Sequence, residues 1–257
     1  MITPASNNQI KQWRKLLMGK YRNMTGLFIA EGIRCVEQIL HNGFVEIDEI
    51  LVDKPDLVHL LDIPESLPVF ELASDDFASI SDTKTPQGVM AVCRVPKKAS
   101  VDDIAVSEGV IVALDAIQDP GNMGTIIRTA AWFGARAILF GKGCADPFQP
   151  KVVRSTAGAT GAVHYIRGDF GNIFHELEST GWQVYLLDGS KEAEDLRSVK
   201  TAKKSILVAG NEATGISRGL FTANRTRVRI PGHSGIVESL NAAVACGIAL
   251  EHFSGLS

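Results

Sequence analysis

Apolar and polar positions along the chain follow two rhythms. Residues 6–18 have helical spacing: Ile10, Trp13, Leu16 and Leu17 share one face, and Ser6 or Asn7 can cap the start. LFIA (27–30) and IDEILV (47–52) are strand-like, as are PVFEL (68–72) and GVMAVCRV (88–95). Between them, IRCVEQIL (33–40) returns to helical spacing and runs towards a stop at Asn42-Gly43. A short helix is expected over 56–61, and another over SDDFASIS (74–81), which opens with early acids. This alternation predicts a small α/β domain over residues 1–96.

A polar, proline-bearing stretch beginning PKKAS suggests a linker over 97–107. Beyond it the strands become almost continuously apolar: VIVALDAI (110–117), RAILFG (136–141), VHYI (163–166), WQVYLL (182–187) and SILVAG (205–210). Such runs are expected of parallel strands covered on both faces. Helices are expected near 123–133 (ended by Gly134), 150–158, 172–179 and 239–253. Residues 108–257 therefore read as an open α/β domain with a mostly parallel sheet.

Charge changes this picture in one place. The net charge is −3, yet residues 1–40 carry six Lys or Arg against two Glu, a local +4. Lys11, Arg14, Lys20 and Arg22 are thus candidates for a phosphate-facing surface, with a solvated helix face as the plain alternative. The four cysteines are scattered with no CxxC pair, which suggests reduced thiols and a cytoplasmic protein. The six histidines form no ligand cluster, so no metal is expected. The N-terminus lacks the apolar core of a secretion signal, and the apolar runs are of strand length, so no membrane span is expected.

Candidate chemistry lies in three loops of the second half, where an open parallel sheet binds ligands beyond its strand ends. They are DPGNMG (119–124), GNEATG (210–215) and RIPGHSGIVESLN (229–241). Singly, each has an ordinary explanation: a glycine turn, a helix start, the cap of the last helix, or, for Arg128, a snorkelling surface arginine. Together, each follows a strand of the same half and offers backbone amides plus a short polar side chain. A dinucleotide fingerprint would need G-x-G-x-x-G, and the first loop supplies only Gly121-x-x-Gly124. There is no Walker A lysine either.

These segments resemble the three signature motifs of the SpoU (TrmH-like) RNA 2′-O-ribose methyltransferases, within the SPOUT superfamily. LDAIQDPGNMGTIIRTAAWFGA is similar to the first, ILVAGNEATGIS to the second, and RIPGHSGIVESLNAAVACGIAL to the third. KVVRSTAGA (151–159) is similar to a further family stretch, and the N-terminal segment resembles an L30e-like substrate-binding domain. The third motif departs from the pattern: Gly232, His233 and Ser234 separate Pro231 from Gly235, one residue more than usual, which bears on the contacts of loop 231–235.

The resemblance implies a C-terminal α/β knot (a deep trefoil), an S-adenosylmethionine cofactor, an RNA substrate and a homodimer. It assigns Arg128, Asn122, Glu212, Ser239 and Asn241 to catalysis, and Gly210, Asn211, Ile230 and Leu240 to the cofactor. Asn122 is expected to orient Arg128. An arginine is a permanent cation, so Arg128 suits phosphate binding or stabilisation of alkoxide charge as well as the base role the family is given. The two-domain layout favours ribosomal RNA, with a tRNA target or a non-catalytic RNA-binding protein as alternatives.

Overall fold

The structure, a computed structural model, describes residues 2–233, 237 and 239–255. Contacts divide it into two units: residues 1–97 with 146–162, and residues 98–145 with 163–257.

In the first unit, five strands form a sheet in the order β1-β4-β3-β5-β2. They are β1 (Ile2–Pro4), β2 (Leu27–Glu31), β3 (Ile47–Val52), β4 (Val69–Glu71) and β5 (Val89–Arg94). The β1/β4 and β3/β4 pairs are parallel, and β5 is antiparallel to both β2 and β3. Side chains alternate between faces at period 2, and here both faces are covered. Phe28, Ala30, Ile50, Val52, Ala91 and Cys93 enter one core with Val36 and Ile39 of α3 (Ile33–Asn42). Ile29, Leu51, Met90 and Val92 enter another with Ile10, Trp13 and Leu16 from the N-terminal helix region and Phe77 and Ile80 of α4 (Ser74–Ile80). That is why the strands read as apolar runs.

The expected helix over 6–18 is shorter. α1 (Asn7–Lys15) starts at a Ser6–Gln9 capping box, and the chain then turns through an extended Met18 into α2 (Gly19–Thr25), which periodicity did not reveal. The helix expected at 56–61 is a 3-10 helix at Pro55–Leu60, and α4 is capped without a side-chain hydrogen bond.

Residues 146–162 join this unit through α7 (Pro150–Ser155), which packs on β2 and places Val153 in the α3 core. At Gly158 a Cβ would lie 2.2 Å from that of Gln38, so only glycine allows the approach. Polar groups fasten the same segment. Glu31, 2% exposed, accepts from Arg154 Nη1 (3.1 Å), Thr83 Oγ1 (2.7 Å), the Ser81 hydroxyl and the Asp82 amide.

Arg22 is a correction to the RNA-facing set. It is buried, its Nε and Nη2 donate to Asp146 Oδ2 (2.9 and 2.6 Å), and its Nη1 donates to the carbonyls of Leu16 and Leu17. A guanidinium saturated in this way has little left for a phosphate, and its role is to hold α2. Lys11, Lys20 and Arg14 are exposed, although Arg14 also donates to Ser79 Oγ at 2.6 Å.

The second unit holds seven strands in the order β10-β12-β9-β11-β6-β7-β8, every recorded pair parallel. They are β6 (Gly109–Asp115), β7 (Ala137–Phe140), β8 (His164–Arg167), β9 (Gln183–Leu187), β10 (Glu194–Asp195), β11 (Lys204–Gly210) and β12 (Thr226–Arg229). Helices α6 (Pro120–Trp132), α8 (Phe170–Ser179) and α9 (Ala242–Ser254) accompany them. α5 (Val101–Ala105), nucleated by a Ser100–Asp103 capping box, lies where a linker was expected. α6 begins earlier than the apolar pattern suggested: Asp119 caps it and Pro120 takes its first turn, a proline position that needs no amide hydrogen. Burial pushes the Cys35 thiol up to about 11 and Cys246 up to about 12, and raises Cys93 too, so these are neutral packing groups.

Candidate active site

β6 and β11 lie side by side at the centre of the second sheet and end together, with Gly210 in register with Asp115. Their C-terminal ends carry the first two candidate loops. The second loop folds on itself: Asn211 N donates to Gly215 O (3.1 Å) and Gly215 N to Asn211 O (2.9 Å). Asn211 shapes it further. Its Oδ1 accepts the amides of Ala213 (2.9 Å) and Thr214 (3.1 Å), while its Nδ2 donates to the Ala116 carbonyl at 2.9 Å. Ala116, just past β6, has φ +56°, a left-handed conformation that costs an alanine energy and is held here by the Asn211 hydrogen bond to its carbonyl. Asp115, almost fully buried, accepts the Ser217 amide at 2.6 Å and ties the far end of the second loop to the first strand. Neither Asp115 nor Asp119 stands out in the sequence as a site residue. The Asp-Pro at a helix start was the available signal for the second.

The third motif reaches the same place. Asn241 caps α9, its Oδ1 accepting the amides of Ala243 (2.9 Å) and Val244 (3.2 Å). Helix amides only donate, so the Asn241 Nδ2 must point away from the helix, and it donates to Asn122 Oδ1 at 2.9 Å. That leaves the Asn122 Nδ2 directed at an acceptor, the Glu212 carboxylate, at 2.6 Å. A chain of hydrogen bonds Asn241–Asn122–Glu212 therefore joins all three loops, with donor and acceptor fixed at each link.

Three expected residues are thus brought together, and Asn211 and Gly210 shape the loop beside them. Asn122 spends both side-chain groups on Asn241 and Glu212, so its hydrogen bonds do not run to Arg128 as expected. Arg128 stands exposed on α6 and makes no ion pair or hydrogen bond with a described residue. Ser239 is exposed before the α9 cap, Leu240 is also exposed, and Ile230 follows β12 half-buried. Ser234 and Gly235 of the 231–235 loop lie outside the described residues. Cys144 donates its thiol to the Leu114 carbonyl (3.0 Å), and burial holds it above its usual range, so it supplies no ready thiolate. Among the described residues no group of three or more His, Cys, Asp or Glu is placed to hold a metal, and no helix is long and apolar enough to cross a membrane.

Known proteins match this arrangement. Residues 109–251 match the family described as the SpoU rRNA Methylase family, and residues 7–91 match an MRM3-like substrate binding domain. The 23S rRNA (guanosine(2553)-2′-O)-methyltransferase RlmP of Bacillus subtilis (strain 168) is 34% identical over 257 residues, covering 99% of each chain. An AdoMet-bound rRNA methyltransferase from Sinorhizobium meliloti superposes with a TM-score of 0.83 at 30% identity, over 98% of this chain and 96% of that one. The SpoU methyltransferase AviRb from Streptomyces viridochromogenes, solved with AdoMet, gives 0.82 at 25% identity over 97% of each. With the three motif loops joined by one hydrogen-bond chain, the sequence and fold agree that this chain belongs to the SpoU rRNA methylase family.

Proposed function

We propose that the chain methylates a ribose 2′-OH of ribosomal RNA with S-adenosylmethionine, at a site built from the Asn241–Asn122–Glu212 chain and Arg128. The observation that carries this is that chain, which draws three motifs separated by 90 and 119 residues to one place. The cofactor, when bound, supplies a methyl group on a sulfonium. The residues present fit it: Gly210 runs so close to the Gly215–Ile216 backbone that no side chain is accommodated, Asn211 holds that loop in shape by pairing with Gly215, and Gly210, Ile230 and Leu240 are the residues proposed to meet the cofactor through main-chain groups.

For the RNA, the residues have separate tasks. A 2′-OH is a weak nucleophile near neutral pH; as its new O–C bond forms, the methyl–sulfur bond breaks, leaving a neutral thioether, and the hydroxyl proton passes to solvent. Arg128, a fixed cation, holds the adjacent phosphate and the oxygen as negative charge develops on it. Glu212, which among the described residues accepts one bond, from Asn122, is the carboxylate available to orient the hydroxyl. Ser239 completes the polar wall. Lys11, Arg14 and Lys20 grip phosphates through the substrate-binding unit, giving affinity that falls with salt. The full-length likeness to a 23S rRNA enzyme supports a large-subunit target. Mapping alkali-resistant positions in ribosomal RNA from cells with and without the protein tests this: one protected ribose should vanish with the gene. An unchanged ribosomal map together with a lost position in tRNA would reject the ribosomal assignment.

The deep knot and the homodimer belong to the same proposal, as does a cytoplasmic location, which four free thiols suit. Support for the dimer comes from α6 and α9, which pack together and carry apolar side chains outward: Trp132 is 83% exposed, and Val244 and Ile248, one turn apart, are 51% and 42% exposed. A second copy covering this face explains it. Light scattering should give twice the chain mass for the wild type and a monomer for Ile248→Asp. A monomeric wild type would remove the dimer from the proposal.

A further inference from the structure

The first unit contains a cavity of about 240 Å³ that the methyl-transfer site does not use. It opens between α1, α2 and the β2–β5–β3 side of the sheet. Its floor is apolar, made by Trp13, Leu16 and Val92, all buried. Its mouth is formed by Tyr21 and Met24, one turn apart on α2, with Met24 68% exposed. Such a surface of ring and soft thioether suits a flat ligand.

The polar groups of the cavity are placed by a defect in the sheet. The register of β3 against β5 shifts between Ile47 and Glu49, which breaks the alternation of faces. Asp48 and Glu49, though consecutive, therefore both line the cavity. Glu49 Oε2 accepts the Trp13 indole N–H at 2.6 Å, and Oε1 bonds no described residue. Burial first, and then the neighbouring Asp48 charge, raise the Glu49 carboxyl above its usual range, against the Trp13 hydrogen bond. Asp48 Oδ1 accepts from Arg94 Nε at 2.7 Å. Opposite these acceptors are amides. The Gln9 oxygen is taken by the Ser6 amide and hydroxyl, leaving its NH₂ as a donor, and Gln12 is exposed at the rim. At the rim stands Lys15, exposed, with its ammonium 5.4 Å from the Tyr21 ring centroid.

An apolar slot lined by carboxylate acceptors and amide donors, with an ammonium group at the rim, has the chemistry of one nucleotide. Its volume falls below the roughly 300–1,000 Å³ of drug-sized sites, which fits a single base rather than a longer segment. Of the four bases, guanine presents two neighbouring N–H donors beside a carbonyl acceptor. Adenine and cytosine each present one exocyclic amine beside a ring acceptor rather than that pair of donors, and uracil flanks its one N–H with two carbonyls. We propose that this cavity captures an unpaired guanine of the RNA substrate, in addition to the methylated nucleotide, with Glu49 accepting from its Watson–Crick edge and Lys15 of α1 holding its phosphate. The inference rests on the reading of RNA as the substrate.

The test uses the full chain and fluorescent single-stranded hexanucleotides that differ only in one central base, followed by anisotropy. The guanine oligonucleotide should bind about tenfold tighter than its adenine counterpart, the low end of what one well-paired base edge discriminates. In Glu49→Gln the indole N–H still has an oxygen to meet, and the preference should fall to within about twofold while S-adenosylmethionine affinity, a check on folding, stays unchanged. Met24→Ala should weaken all four oligonucleotides alike. Equal binding of all bases by the wild type, or a guanine preference that survives Glu49→Gln, overturns the proposal. Competition by an arginine amide as strong as that by guanosine monophosphate also overturns it and reassigns the cavity to a protein side chain. Methylation of ribosomal RNA by the wild type is scored separately, so failure of the cavity and failure of the proposed activity are distinguishable.

Discussion

Arg128→Ala is expected to slow methyl transfer by about 10²–10³-fold, the cost of removing one group aimed at developing charge. S-adenosylmethionine affinity should stay within about threefold, since the cofactor is assigned to backbone groups of other loops, and a lost charge contact of this kind is typically a transition-state effect. The reasoning starts from position. Arg128 lies on the exposed side of a helix whose other face, Met123, Ile126, Ile127 and Ala130, is buried. A guanidinium with no partner among the described residues is not there for stability, and an ordinary surface replacement would change stability by about 0.5 kcal/mol or less. A large kinetic effect with an unchanged melting temperature thus separates a catalytic group from a snorkelling one. Arg128→Lys keeps the charge but loses the planar fork that matches a phosphate, so it should recover only part of the rate. A normal methylation rate in Arg128→Ala would reject the role outright.

What the sequence revealed, and what it hid, follows from the range of each interaction. Strands β3 and β11 were legible because both faces of each are buried, and the apolar run marks them regardless of what covers them. Ser6 and Asp103 capping boxes are local and were open to reading, yet α5 was passed over because polar composition suggested a linker. α2 was missed because it has little apolar stripe and its one buried side chain is a charged one, Arg22. That burial depends on Asp146, more than a hundred residues away, and no local pattern announces it. The grouping of residues 146–162 with the first unit is hidden for the same reason, since it rests on Glu31–Arg154 and on the close approach at Gly158. At the candidate site the residue types were readable from motif likeness, whereas the wiring was not. That Asn122 serves Asn241 and Glu212 instead of Arg128 is set by the helix amides that orient Asn241.

Gly210→Ala should weaken cofactor uptake by about tenfold or more while leaving the protein folded. The difficulty is space, because a Cβ at Gly210 would lie 2.4 Å from the Gly215 carbonyl carbon, 2.5 Å from the Ile216 nitrogen and 2.6 Å from the Gly215 oxygen. All three are backbone atoms, so no side chain can swing aside and the 211–215 loop itself must move. Moving it strains the Asn211–Gly215 pair and the Ser217–Asp115 hydrogen bond, and it draws Glu212 away from Asn122. Overpacking of this kind costs about 1–3 kcal/mol, which in a chain of this size lowers the melting temperature by roughly 2–12 °C without unfolding it at 25 °C. The loop carries the expected main-chain contacts to S-adenosylmethionine, so calorimetric affinity should drop by at least about tenfold, the equivalent of losing one or two buried hydrogen bonds. Gly219→Ala is the control: nothing lies within 4 Å of a Cβ there, and affinity should not change. If Gly210→Ala takes up the cofactor as the wild type does, the second loop is not the cofactor wall, and the pocket must be sought elsewhere along the ends of the parallel strands.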